Sequence, residues 1–303
     1  MIPNVYLTQQ GPRLSRLVAG TMWWGEWGHD LSPEQVADLI DHCLELGITS
    51  FDHADIYGHY STEALFGEAL KLRPGIRDKI QLISKCGIKL TTPRRPGNKI
   101  KSYDHSMGYI LESVETSLRN LNTDHLDLLL VHRPGPLMHP DELSETFHQL
   151  QREGKVKHFG VSNFTPSQYQ MLGSRFPLVT NQVEASLLHL TPFFDGTFDL
   201  SLQHNQIPMA WSPLGGGDIF KNPDTDQHRR IVKTATEIAQ RHGNYSLDQV
   251  LLAFLLRHPS RIAPVLGTAN KERLSSAVGS FELKLNAEEW YELLEAARGE
   301  EVA

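Results

Sequence analysis

Along the whole chain, short apolar runs alternate with longer segments whose apolar residues recur at helical spacing. The runs read as eight strands: Arg16–Gly20, Thr49–Asp52, Ile80–Lys85, Leu126–His132, Lys157–Val161, Val179–Val183, Pro208–Trp211 and Ile262–Leu266. A continuous run such as Leu126–Val131 suits a strand buried on both faces. The segments between carry helix start signals. Ser32-Pro33-Glu34-Gln35 reads as N-cap, Pro at the first helical position and Gln at the third, followed by Val36, Leu39, Ile40, Cys43 and Leu44, with Gly47 as the stop. Thr165-Pro166-Ser167-Gln168 repeats that cap, and Ser246-Leu247-Asp248-Gln249 opens a helix apolar nearly all round, hence buried. Asp104 is expected to open a helix with Met107, Ile110, Leu111, Val114 and Leu118 on one stripe, and Asn286 to Arg298 reads as a terminal amphipathic helix. No Pro/Gly/Ser-rich linker divides the chain. Eight strand–helix units predict an α/β fold, a (β/α)8 TIM barrel as a single domain over residues 1–303, with an open doubly wound sheet as the alternative.

Composition narrows the class. The 303 residues are 40% hydrophobic and 21% charged, which excludes disorder and a fibre. A net charge of −7 lacks the basic footprint of a nucleic-acid binder. Two cysteines, Cys43 and Cys86, argue against a disulfide framework. Met1–Pro12 has no basic segment leading into an apolar run, and Val250–Leu256 is too short to span a bilayer, so a cytoplasmic protein is expected. Barrels of this type commonly take roughly 250 residues. The surplus falls in the 86–104 loop, the stretch around 215–230 and the terminal helix.

In such a barrel, catalytic residues sit at the C-terminal ends of the strands. Three consecutive strands close on one ionisable residue each. The second runs into Phe51-Asp52-His53-Ala54-Asp55-Ile56-Tyr57-Gly58, the third ends Ser84-Lys85, and the fourth ends Val131-His132-Arg133. One such ending is ordinarily a salt-bridged or solvent-facing strand end. Three together, with Tyr57 just beyond Asp52, converge on one site. Tyrosine, with an ordinary pKa near ~10, can donate a proton at neutral pH. An adjacent Lys⁺ favours phenolate and eases that donation. Asp52 would hold Lys85 charged, and His132 would orient a carbonyl oxygen toward Tyr57. None of these groups supplies a hydride, so the chemistry requires a redox cofactor. No dinucleotide G-x-G-x-x-G after the first strand, Walker loop, zinc signature or nucleophile elbow is present, and His53 with His59 makes too weak a pair to expect a metal.

The chain resembles the aldo-keto reductases. The resemblance rests on Gly20-Thr21-Met22-Trp23, FDHADIYG at 51–58, SKCG at 84–87, LDLLLVHRP at 126–134, GKVKHFGVSNF at 154–164, TNQVE at 180–184, AWSPLGGG at 210–217 and PVLGTANKERL at 264–274. These pieces keep the family's order and span nearly the whole chain. The resemblance implies an NAD(P)-dependent oxidoreductase with Asp52, Tyr57, Lys85 and His132 as its tetrad and Tyr57 as general acid. It also implies that Ser162, Asn163 and Gln182 bind the nicotinamide carboxamide and that Trp211 stacks on the ring. Gly20, Thr21, Met22 and Asp52 would border the cofactor. Ser212, Leu214, Gly215 and Gly217 would line the pyrophosphate loop, where glycines let backbone N–H groups approach phosphates. Gly267, Thr268, Asn270 and Arg273 would hold the adenosine 2′-phosphate of NADP at a helix N-terminus. Ser276-Ala277 stand where many members carry Glu-Asn.

On the substrate side, Trp23, Trp24, Trp27 and Tyr60 are expected to form an aromatic rim. Loop 88–103 carries Lys89, Arg94, Arg95, Lys99 and Lys101 without an acidic residue, ordinarily a solvated face, more sharply an attractor of anionic carbonyl compounds. The short tail after Arg298 predicts an open, permissive pocket. The expected activity is NADPH-dependent reduction of small aldehydes or ketones to alcohols, with no nucleic-acid, membrane or identifiable protein partner. Two alternatives stand beside it. One is a nicotinamide-binding regulatory or redox-sensing subunit resembling the potassium-channel β subunits. The other is a non-redox barrel enzyme using Lys85 as an aldolase would.

Overall fold

The computed structural model describes residues 2–221 and 225–302. Eight parallel strands close into a barrel in strict chain order. They are β1 (Val18–Gly20), β2 (Ser50–Asp52), β3 (Gln81–Cys86), β4 (Leu126–Val131), β5 (Val156–Ser162), β6 (Asn181–Glu184), β7 (Met209–Trp211) and β8 (Ala263–Leu266). Each lies within one or two residues of its predicted run or inside it. The open doubly wound alternative is excluded, because β8 pairs with β1 through Val265↔Val18 and Leu266↔Ala19.

The helices that follow include α1 (Pro33–Leu46), α2 (Thr62–Lys71), α3 (Met107–Asn120), α4 (Pro140–Arg152), α5 (Pro166–Gly173), α6 (Thr197–Gln203), α7 (Asp226–Arg241), α8 (Leu247–Arg257), α9 (Lys271–Gly279) and α10 (Ala287–Arg298). The predicted caps of α1 and α5 form: Ser32 and Gln35, and Thr165 and Gln168, exchange both capping-box bonds. Gly47 ends α1 in the left-handed conformation that favours glycine. Asp104 does not open α3. Ser106 is its N-cap, and the Asp104 carboxylate accepts from the Ser106 N–H and hydroxyl instead. Helices α2 and α4 have no side-chain cap bond, although α4 does start with Pro140 followed by Asp141 and Glu142 in its first turn.

Two hydrophobic layers result. Inside the barrel, Val18, Ile83, Leu128, Leu130, Met209 and Val265 share one cluster with Val5, Leu7 and Leu14. The last three come from an N-terminal antiparallel hairpin, Asn4–Tyr6 with Arg13–Ser15, absent from the sequence reading. It closes the N-terminal end of the barrel, where the Leu7 carbonyl accepts from the Ile207 N–H just ahead of β7. Outside, Leu129 and Val131 turn to the helices, so β4 is buried on both faces as its unbroken apolar run predicts. The surplus 86–104 segment contains a second hairpin, Ile88–Lys89 with Ser102–Tyr103. Of the 215–230 stretch, residues 222–224 lie outside the described residues.

Candidate active site

With the N-terminal end plugged, the polar residues at the opposite end of the strands define the site. Asp52 ends β2, Lys85 lies next to last in β3, and His132 follows β4 directly. Parallel register brings them level: Asp52 pairs with Ile83 and Lys85 with Leu130. Lys85 is 1% exposed, and all three of its ammonium donors are used. Nζ donates to Asp52 Oδ2 at 2.7 Å, to the His53 carbonyl at 2.8 Å and to Tyr57 Oη at 3.1 Å. Asp52 Oδ1 accepts from Gln182 Nε2 at 2.9 Å, a bond from β6 to β2.

The electrostatics keep protons on both Lys85 and Tyr57. Burial works to lower the Lys85 pKa, but Asp52 and Tyr57 outweigh it and the pKa rises. For Tyr57, burial raises the pKa and Lys85 lowers it, as the sequence argument expects, yet burial wins and the net direction is up. Tyr57 is therefore a protonated donor at neutral pH. His132 is held neutral: burial, then Lys85, Arg133 and Lys101, push its pKa well below the usual imidazole range. Its ring lies 6.1 Å from that of Tyr57, edge-on, with Nδ1 buried and unpartnered. His53 is neutral too, with its pKa lowered to about 3 by burial and by Lys85. Its Nδ1 lies 3.0 Å from Thr21 Oγ1.

The predicted nicotinamide-binding residues join the same network. Trp211 Nε1 donates to Asn163 Oδ1 at 3.0 Å, Asn163 Nδ2 to Ser162 Oγ at 2.7 Å, and Ser162 Oγ to the Gln182 carbonyl at 2.9 Å. Hydrogen-bonded residues thus run from β7 through β5 and β6 to Asp52. Asn163 and Ser212, the residues after β5 and β7, have φ of 59° and 47°, left-handed values uncommon for residues other than glycine. Gly20 packs against β8, and Thr21 donates to the Asp52 carbonyl through its hydroxyl at 3.1 Å. Met22 packs against the cluster that contains Tyr57.

The remaining predicted cofactor residues lie on the rim. Gly215, Gly216 and Gly217 all have left-handed φ, and a Cβ on Gly216 or Gly217 would meet nothing within 4 Å. That open cradle after β7, beside Ser212 and Leu214, fits a phosphate bridge. After β8, Gly267 and Thr268 lead to Asn270, whose side chain caps α9 by accepting from the Arg273 N–H at 2.8 Å. The α9 N-terminus with an exposed Arg273 fits an anion there. Lys85, Asp52 and Tyr57 are brought together by direct contact; Arg273 and the glycine loop are not, and belong to a separate, more exposed part of the mouth.

The aromatic rim is only partly as expected. Trp24 is core: it is buried, stacks on Phe66 and donates to the Thr268 carbonyl at 3.3 Å. Trp27 does face the site, 6.0 Å from the Tyr57 ring. The sequence reading passed over Arg133. Its guanidinium lies 5.5 Å from the Trp211 ring and has no hydrogen-bond or ion-pair partner among the described residues. Its position directly after His132 in the strand-end motif was the available signal.

The structure is thus a closed parallel barrel with a Tyr–Lys–Asp cluster and a neutral histidine at its C-terminal mouth. Residues 16–298 match the Aldo/keto reductase family, and the chain belongs to it. It is 46% identical over 293 residues to the uncharacterized oxidoreductase YcsN of Bacillus subtilis (strain 168), covering 96% of each chain. A 6-dehydroglucose reductase of Agrobacterium fabrum is 43% identical over 292 residues, again covering 96% of each. The holo form of an aldo-keto reductase from Bacillus halodurans superposes with a TM-score of 0.82 at 25% identity, over 100% of this chain and 98% of that one. The protein is therefore an oxidoreductase of a family that typically uses NAD(P)H and acts on small carbonyl compounds. Among the described residues no helix is long and apolar enough to cross a membrane.

Proposed function

We propose that this protein is an NADPH-dependent reductase of aldehydes and ketones in which Tyr57 is the general acid. The observation that carries the reading is Lys85 Nζ bonding Asp52 Oδ2 and Tyr57 Oη together in a buried site. NADPH would supply the hydride for the carbonyl carbon. Tyr57 gives its proton to the carbonyl oxygen, and Lys85, held by Asp52, stabilises the phenolate left behind. Neutral His132 positions that oxygen without competing as an acid. Ser162, Asn163, Gln182 and Trp211 would hold the nicotinamide, the 215–217 glycines the pyrophosphate, and Thr268 and Arg273 the 2′-phosphate. The upward pKa of Lys85 in its ion pair argues against an amine nucleophile, and the complete tetrad favours turnover over binding alone.

The substrate we assign is a small polyhydroxylated aldehyde of the sugar type. Two observations support it. Arg133, whose guanidinium lies beside Trp211 with no hydrogen-bond or ion-pair partner among the described residues, is a donor for hydroxyl oxygens. The relatives named 6-dehydroglucose reductase, 43% and 33% identical, point the same way.

The test follows loss of NADPH and of NADH with an aromatic aldehyde, a dicarbonyl and a hexose carrying an aldehyde at C6, in wild type and Tyr57→Phe. The expected result is turnover with NADPH, best with the sugar aldehyde, and loss of several orders of magnitude in kcat for Tyr57→Phe. Tight NADPH binding without turnover in wild type would overturn the enzymatic reading. Equal rates with Arg133→Ala on the sugar aldehyde would overturn the substrate assignment.

A further inference from the structure

The backbone directly after Tyr57 is unusual. Gly58, His59 and Tyr60 all have left-handed φ, at 56°, 53° and 71°. Only glycine takes that conformation freely, so His59 and Tyr60 hold it against a steric penalty. Such a turn persists only where its surroundings over-determine it. A Cβ on Gly58 would fall 2.6 Å from Thr62 Oγ1 and 2.7 Å from Ser61 Oγ, so the turn is also tightly packed.

Two loops hold it. From the loop after β1, Trp27 sets its ring 6.0 Å from Tyr57 and 5.4 Å from His59, perpendicular to the latter. From the hairpin loop after β3, Arg94 Nη1 reaches the carbonyls of Gly58 at 3.3 Å and His59 at 3.5 Å, and Glu26 Oε2 at 2.6 Å. Arg95 lies over the Tyr60 ring at 5.0 Å, and Tyr60 Oη accepts from the Leu90 N–H at 2.9 Å. The Arg94–Glu26 pair therefore ties the two loops to each other across the strained turn. Part of the basic charge on the 88–103 loop is thereby explained as attachment to the turn.

We propose that Arg94 is a positioning residue for Tyr57. By holding the left-handed turn against Glu26, it keeps the phenol within 3.1 Å of Lys85 Nζ. Both Arg94 and Glu26 are about half exposed, so the pair by itself adds little to global stability. Its effect is local, on where the turn sits. The proposal rests on the reading of Tyr57 as the acid.

The experiment compares wild type, Arg94→Ala, Arg94→Lys and Tyr57→Phe. One measurement is backbone amide exchange over residues 57–61 in the cofactor-free protein. The other is the single-turnover rate of hydride transfer, with NADPH affinity titrated by fluorescence. The expected result for Arg94→Ala is exchange at these amides about tenfold faster, hydride transfer slowed at least about tenfold and NADPH affinity within about twofold of wild type, with Lys restoring most of both losses. Hydride transfer at the wild-type rate in Arg94→Ala overturns the proposal, even if exchange quickens. A loss that Lys does not restore, accompanied by equal loss of NADPH affinity, also overturns it, because it marks general disruption. If Tyr57→Phe itself turns over normally, the acid assignment fails instead, and the two failures are told apart.

Discussion

At the scale of single residues, the site is governed by what burial does to charge. Glu63 is buried beside β3, and its Oε1 accepts from Ser84 Oγ at 2.6 Å. Burial raises its pKa from 4.5 to about 6 despite that bond. The folded protein thus holds this proton more tightly than the unfolded chain. The stabilisation is fully present below 4.5 and is lost as pH rises through about 6. A change of this size is worth about 2 kcal/mol. Glu63→Gln keeps the neutral form, so the stability of wild type relative to this variant should fall by about 2 kcal/mol between about pH 4 and about pH 7. Denaturant unfolding at both pH values measures it, and parallel behaviour of the two proteins would contradict the assignment. The same logic separates the legible from the hidden residues. Asp52, Lys85 and His132 were readable because each ends an apolar strand, where a charge needs a reason. Trp24 was misplaced because three tryptophans in one loop look alike in sequence; only packing on Phe51 and Phe66 shows which one is core.

At the scale of elements, strands were legible to within a residue or two, most plainly in β4, where burial on both faces gives a nearly unbroken apolar run. Capping boxes made α1, α5 and α8 legible, whereas α2, without a side-chain cap bond, was obscure, and α7 was missed despite its Thr225 cap. The two hairpins escaped notice because each is built from strands of two or three residues, too short for a period to show. Helix contacts add a test that sequence propensity answers wrongly. Gly67 lies inside α2, where replacement by alanine ordinarily stabilises by about 1 kcal/mol. Here a Cβ would come within 1.9 Å of the Asn120 carbonyl oxygen at the end of α3. Backbone cannot yield cheaply, and overpacking costs about 1–3 kcal/mol or more. Gly67→Ala should therefore lower the melting temperature by several degrees, and a rise would show that α2 and α3 are not in this contact.

At the scale of the whole molecule, one closed barrel places Tyr57, Lys85, Asp52 and a neutral histidine at one end and a hydrophobic plug at the other. Neutral histidines, buried at His53 and His132 and partly buried at His258, make the fold acid-sensitive. Burial lowers His53 to about 3 and His258 to about 4, and holds His132 well below its usual range. A depressed imidazole contributes stability that is present above its unfolded value of 6.5 and lost as pH falls toward the folded one. These three groups oppose Glu63 and Asp55, whose carboxyl pKa values burial raises, and outnumber them, so unfolding free energy should decline as pH drops below about 6.5. A protein most stable near about pH 4 would contradict the burial of these rings. Single-turnover kinetics test the proposed role of Tyr57, poised by Lys85, as the acid of a carbonyl reductase. NADPH-loaded wild type and Tyr57→Phe are mixed with the sugar aldehyde and the loss of reduced nicotinamide absorbance is followed through a single turnover. Equal NADPH affinity and a rate lower by several orders of magnitude in the variant are expected; comparable rates in the two proteins would show that Tyr57 is not the acid.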